Sequence, residues 1–340
     1  MSEGTWPQAR GTFSLGDFTV QSGEVITDAK LEWKTHGTLS AARDNVIIYP
    51  TSYGAQHPDL EWLIGPDKIL DPTRWFIVIP DMFSNGFSSS AATHPAFPKV
   101  VTSWDNVQAQ MRLLQEKFGV SRVHAAFGFS MGAQQSYHWA AAFPDQIDHA
   151  VIICGSARTA DHNKVFLSGL LRTLEAAPEH LGDGRFNAEP MLAKRAFGHI
   201  YAGWGLSQDF YRARLYMTAL GAPDLETFLE RDWAQRFQAR PAANLYAQAV
   251  TWMHGDISAN ALYNGNFEVA LSAIKARVLL MPGQTDLYFR VADHDAELAV
   301  LKHAKLSVIP SIWGHRAGNP AVIPDDAAFI KRETRAWIEG

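Results

Sequence analysis

The chain has 340 residues, of which 47% are hydrophobic and 19% charged, with a formal net charge of -5 and no run of lysine or arginine. That balance describes a globular chain long enough to bury a large core, and it argues against nucleic acid or an anionic membrane as partner. The first residues, MSEGTWPQARGTF, carry no apolar signal-peptide core, and no stretch approaches the ~18 apolar residues of a membrane span. The single cysteine, Cys154, leaves no intramolecular disulfide, fits a reducing cytoplasm, and is expected to act as a small buried hydrophobe.

Eight strands are predicted. Phe13 to Val20 and Ala29 to Thr35 alternate apolar with polar residues, as a half-exposed antiparallel edge does. Val46 to Tyr49, Trp75 to Ile79, Val123 to Phe127, Ala150 to Ile153, Val278 to Met281 and Leu306 to Ile309 are short continuous apolar runs, which suit parallel strands covered on both faces. Ser84 to Thr102, with Pro95 and Pro98, reads as an irregular loop. A helix is predicted from Ser103, as N-cap, to Phe118, with Trp104, Val107, Met111 and Leu114 at helical spacing; another begins near Pro324. From about Thr159 to Ala273 no strand is predicted. Five helical segments are: Lys164 to Ala177, Pro190 to Gly203, Gln208 to Leu220, Leu225 to Gln238 and Ala242 to His254. Residues 159–273 are therefore expected to form a helical cap inserted after strand six. Residues 1–158 and 274–340 form the core, a mostly parallel eight-stranded sheet with helices on both faces. Trp204, Trp233, Trp252, Met217 and Met253 are expected mainly in the core of that cap.

The chemistry is carried by Gly128-Phe129-Ser130-Met131-Gly132. An apolar strand precedes it, and Ala133 to Phe143, a helix-forming segment ended by Pro144, follows it. A serine between two glycines on a sharp strand-to-helix turn is the nucleophile elbow of α/β-hydrolases, which presents the hydroxyl at a helix N-terminus. A serine hydroxyl needs a base to remove its proton and a carboxylate to orient that base, and in this fold the order is serine, acid, histidine. Asp286 follows the run Arg277 to Met281, and His315 follows Leu306 to Pro310, so both fall on loops past strand ends. His254, His294 and His303 fit less well, and Asp293 and Asp295 are weaker alternatives to Asp286. Two backbone N–H groups must stabilise the oxyanion. One is assigned to Met131, the other to Ser52 or Tyr53 on the loop Pro50-Thr51-Ser52-Tyr53-Gly54. No cluster has convincing metal-ligand spacing, and the elbow lacks the lysine of a phosphate loop, so neither metal nor cofactor is expected.

Several segments together resemble the homoserine O-acetyltransferase family of α/β-hydrolases. These are Leu63-Ile64-Gly65-Pro66 with Leu70-Asp71 and Arg74-Trp75-Phe76; the elbow with Gln134 and Trp139-Ala140; Ser156-Ala157-Arg158; Arg195 with Gly198-His199-Ile200; and Asp286 with Gly314-His315. The resemblance implies a ping-pong route through an acyl-serine and homodimers paired through the cap. Four departures stand out. Arg316 occupies the position where the transferases hold the homoserine amino group with an aspartate. Tyr201-Ala202 displaces the tyrosine of a cap motif, Ser84-Asn85-Gly86-Phe87-Ser88-Ser89-Ser90 replaces a Gly-rich loop, and PTSYG stands for HALTG. In these features the chain is most similar to the family's subgroup of esterases for short alkyl acetates such as ethyl acetate. A serine carboxylesterase acting on a small neutral ester is thus the leading expectation. An acyl-CoA-dependent O-acyltransferase and a non-catalytic binding protein of the same fold are the alternatives.

Overall fold

In the computed structural model, residues 6–94 and 96–340 are described. Pro95, expected on the irregular loop, and the first five residues lie outside them; Pro98 does sit on irregular chain. The main sheet contains β1 (Gln8–Thr19), β2 (Val25–His36), β3 (Val46–Ile48), β4 (Phe76–Pro80), β5 (Val123–Phe129) and β6 (Ile147–Ile153). A short hairpin, β7 (His180–Gly182) with β8 (Arg185–Phe186), stands apart, and β9 (Arg277–Met281) and β10 (Ala304–Leu306) complete the main sheet. Its order is β1-β2-β4-β3-β5-β6-β9-β10. The β1–β2 and β2–β4 pairs are antiparallel and the rest parallel, as the alternating and continuous apolar runs require.

Apart from the edge strand β10, both faces of the parallel strands are largely buried. Ile47, Ile77, Ile79, Phe127, Leu279 and Met281 contribute to one apolar layer. Val46, Ile48, Phe76, Val78, Val278 and Leu280 contribute to the other. Period-two alternation within an all-apolar run places neighbouring side chains on opposite layers, and burial of each large one stabilises the fold by about 1.5–3 kcal/mol.

Four local expectations need correction. The last strand forms at Ala304–Leu306 instead of Leu306 to Ile309, with only an isolated bridge joining Ile309 to Gly283. Thr102, not Ser103, caps the helix Ser103–Arg112: its hydroxyl accepts from the Asp105 N–H while the Asp105 carboxylate accepts from the Thr102 N–H, a reciprocal cap. That helix runs on as a π-turn, Leu113–Lys117. The segment expected as one helix from Gln208 to Leu220 is split into Gln208–Arg212 and Leu215–Thr218, because Arg214 adopts a left-handed conformation (φ 51°). The hairpin β7–β8 is a strand pair where none was expected. It is too short for a periodicity signal, and its turn is set by Gly182 and Gly184 at positive φ.

Between β6 and β9 the chain is otherwise helical, with Asp161–Glu175, Met191–Gly205 and Ala242–Met253 as its longer members. Of the aromatic and methionine side chains assigned to this region's core, Trp252 and Trp233 are buried. Trp204 and Met253 are half-buried, and Met217 is exposed. No helix among the described residues is long and apolar enough to cross a membrane.

Candidate functional site

Ser130 lies between β5 and the helix Met131–Ala142 with φ 57° and ψ -126°, a backbone conformation that costs a non-glycine residue energy and persists only where its surroundings enforce it. The flanking glycines are the enforcement. A Cβ on Gly128 would lie 2.2 Å from the Gly132 carbonyl oxygen, and one on Gly132 would lie 2.6 Å from that of Pro50. The second contact draws the elbow against the loop after β3.

The three residues singled out from separate strand ends meet here. His315 Nε2 is 2.9 Å from Ser130 Oγ, and His315 Nδ1 is 2.7 Å from Asp286 Oδ2. All three side chains are buried. Asp286 is oriented by its own loop, since Oδ1 accepts from the N–H groups of Tyr288 at 2.8 Å and Phe289 at 3.3 Å. The His315 ring is walled by Phe129, Tyr288 and Phe289, at centroid distances of 4.7, 4.8 and 5.7 Å. Thr285 joins the two loops: its hydroxyl donates to the Ser311 carbonyl (2.9 Å) and accepts from the Gly314 N–H (3.1 Å). With Nδ1–H donated to the carboxylate, Nε2 is left as the acceptor facing the serine hydroxyl, the arrangement a general base needs.

The alternative residues are occupied elsewhere. Asp293 accepts from the Arg290 N–H, and His294 joins Glu297 at 2.7 Å in a separate buried cluster with Tyr137. His254 and His303 are exposed, as is Asp295. The N–H groups of Ser52, Tyr53 and Met131 have no hydrogen-bond partner among the described residues, whereas Gly54 N–H is taken by Gln248 at 2.7 Å. Both Ser52 and Tyr53 line the cavity beside Ser130, and the Tyr53 hydroxyl is tied to the Leu245 carbonyl at 2.8 Å.

That cavity encloses about 290 Å³. Its apolar wall includes Phe129, Tyr201, Trp233 and Phe237, the last three from the helical insertion, and Trp62 contributes from the segment after β3. Burial holds the phenols of Tyr53, Tyr201 and Tyr288 well above their ordinary pKa, so they stay neutral. Arg236, Arg240 and Arg316 also line the cavity. Of these only Arg316 was singled out from the sequence. Arg236 sits on a short helix, Gln235–Gln238, and Arg240 on the bend that follows it, and no spacing marks either. Arg195, part of a resembling motif, is turned away to Glu226 and Glu230.

One cluster has the composition of a metal site: Cys154, Asp286 and His315 offer ligand atoms within 4.8 Å of one another. Its chemistry does not suit an ion. Both His315 ring nitrogens are engaged, and burial, reinforced by the Asp286 charge, pushes the Cys154 thiol far above its ordinary pKa. Exhaustive chelation is accordingly expected to leave ester hydrolysis unchanged; loss of activity restored by zinc would contradict this.

A buried serine–histidine–aspartate relay on a nucleophile elbow, at the carboxyl edge of a mostly parallel sheet, defines an α/β-hydrolase. The chain belongs to that family, since the alpha/beta hydrolase fold model matches residues 59–315. It is 35% identical over 314 residues to a probable esterase of Corynebacterium glutamicum, covering 89% of this chain and 88% of that protein. It is 30% identical over 311 residues to the ethyl acetate hydrolase of Pseudomonas veronii, with 89% and 88% covered. The crystal structure of an acetylester hydrolase from Corynebacterium glutamicum superposes with a TM-score of 0.92 at 32% identity, covering 98% of this chain and 96% of that one.

Proposed function

We propose that this chain is a serine carboxylesterase that hydrolyses short-chain alkyl esters such as ethyl acetate. The observation that carries the reading is the continuous relay from Asp286 through His315 to Ser130 Oγ, opening on a small cavity with an aromatic wall. Ser130 Oγ adds to the ester carbonyl carbon as His315 Nε2 takes its proton, and the developing oxyanion is held by the N–H of Met131 and that of Ser52 or Tyr53. Collapse breaks the bond to the alcohol oxygen, which receives the proton from His315, and an acyl-serine remains. Water then adds to the acyl carbon with His315 again as base, and the Ser130–acyl bond breaks to release the acid. Asp286 holds the imidazole tautomer and stabilises the imidazolium formed in each half-reaction. Residues 159–273 act as a cap that shapes the pocket, supported by Tyr201, Trp233 and Phe237 in its wall. Their aromatic bulk suits a short acyl and alkyl group.

Water, not an amino-acid hydroxyl, resolves the acyl-serine. Arg316 lines the pocket where the acetyltransferases carry an aspartate, and a guanidinium beside a substrate ammonium opposes binding by about 1–4 kcal/mol at an effective dielectric near 20 or somewhat above. Through the ammonium alone, homoserine is disfavoured about tenfold to a thousandfold against a site bearing a carboxylate. With acetyl-CoA and homoserine at millimolar concentration, O-acetylhomoserine is expected to form far more slowly than acetate from ethyl acetate. The reverse order would restore the acyltransferase reading. A reducing cytoplasmic location is supported by the single buried cysteine, and a homodimer paired through the cap by the family resemblance.

A further inference from the structure

The cavity carries an excess of positive charge that hydrolysis of ethyl acetate does not use. Five charged side chains line it: Asp59, Asp232, Arg236, Arg240 and Arg316. Two carboxylates and one guanidinium are accounted for. Arg240 meets Asp59 at 3.3 Å and also donates to the carbonyl oxygen of Gly54 and to Gln56 Oε1, each at 3.1 Å. Asp232 is paired with Arg231 at 2.7 Å. Arg236 and Arg316 remain. Among the described residues no carboxylate oxygen lies within 4.0 Å of either guanidinium, and neither side chain makes a hydrogen bond. Arg236 is exposed at the rim, while Arg316 is half-buried, with its guanidinium 6.0 Å from the Trp313 ring centroid. Burial, and secondarily the charge of Arg236, lower the pKa of Arg316 from its ordinary value, and Asp232 offsets this only in part. Two neighbouring cations with free donors, facing a partly dehydrated cavity, repel each other until an anion lies between them.

We propose that Arg316 and Arg236 form an anionic subsite of the ester pocket, taking a carboxylate carried on the alcohol portion of the substrate. The proposal rests on the esterase reading above. The alcohol side follows from geometry: His315 Nε2 faces Ser130 and delivers the proton to the leaving oxygen, and Arg316 is the next residue on the same 3-10 turn, Gly314–Gly318. The acyl group then occupies the aromatic part of the cavity, and the alcohol chain runs toward the guanidiniums. Short acetylated hydroxy acids match this division. Neutral alkyl acetates remain substrates that leave the subsite unused.

The test is a charge series of acetate esters with similar chains: 4-acetoxybutanoate, its neutral amide 4-acetoxybutanamide, and acetylcholine as the cation. In the unmodified enzyme kcat/KM is expected to be about tenfold or more higher for the anion than for the amide, and lower again for the cation. The preference shrinks as salt is added, since exposed Arg236 is screened. In the Arg236→Gln/Arg316→Gln double variant the anion-to-amide ratio is expected to fall to about one. Equal rates for anion and amide in the unmodified enzyme, or a ratio that survives the double substitution, would overturn the subsite. Ethyl acetate, assayed alongside, separates the two readings. Turnover without anion preference refutes the subsite alone, whereas no turnover of any ester removes the esterase reading and the subsite with it.

Discussion

Ser130→Ala lowers kcat for ethyl acetate by roughly four to six orders of magnitude while the protein keeps its fold. The size follows from the relay. Without Oγ there is no acyl-enzyme, and what persists is the stabilisation provided by the oxyanion donors and by substrate binding, worth about 10³–10⁴ over water in systems of this kind. Folding is spared because among the described residues the serine hydroxyl makes one hydrogen bond, to His315 at 2.9 Å, and alanine removes only that. Alanine also retains a Cβ, so the strained φ of 57° is neither relieved nor worsened. His315→Ala is expected to lose a similar factor. Because the two residues act as a unit, the Ser130→Ala/His315→Ala double variant loses no more than either single one. The measurement is steady-state acetate release together with the circular dichroism spectrum. Most of the activity retained in folded Ser130→Ala would remove the serine from the mechanism.

Asp286→Asn is the second large effect, with a loss of about 10³–10⁴ in kcat. The asparagine is nearly isosteric, but it cannot reproduce what the carboxylate does. Asp286 Oδ1 accepts from the N–H groups of Tyr288 and Phe289, which requires an oxygen at that position. The amide nitrogen of an asparagine is therefore driven to the position of Oδ2, which faces His315 Nδ1 at 2.7 Å. An N–H directed at Nδ1 reverses that hydrogen bond. The proton moves to Nε2, and the histidine then presents a donor, not an acceptor, to Ser130. Asp286→Asn thus leaves the geometry in place and inverts the tautomer. Asp293→Asn, whose carboxylate among the described residues only accepts from the Arg290 N–H just before its helix, is expected to change kcat little. A larger loss at Asp293 than at Asp286 would transfer the acid role.

The parts of the molecule legible in the sequence are those where one physical constraint acts over a short span. Strands buried on both faces need unbroken apolar runs, so five of the six parallel strands were recognisable, whereas the last, Ala304–Leu306, is only half-buried and carries no such run. The elbow needs small residues where backbones approach to within contact, so Gly128 and Gly132 marked the nucleophile. Asp286 and His315 were found because a parallel sheet collects its chemistry at the carboxyl ends of its strands. The capping residue was misplaced by one position, since Thr102 and Ser103 have the same capping chemistry and only the reciprocal bond to Asp105 distinguishes them.

Other features depend on residues far apart in the chain. The hairpin at 180–186 has too few residues for a pattern, and the break at Arg214 follows no proline or glycine. The sequence alone determined most of the sheet and picked out Ser130, Asp286 and His315, which the fold brings together, because each is written in local residue types whose spacing the backbone enforces. The tertiary structure decided which charges remain unneutralised in the cavity. Arg240 is matched by Asp59, 181 residues away in the chain. Arg236 and Arg316 are brought to one cavity with no such match among the described residues. Pairing of charges depends on distance in space, falling as the inverse of separation and shielded by what lies between, and no sequence spacing encodes that.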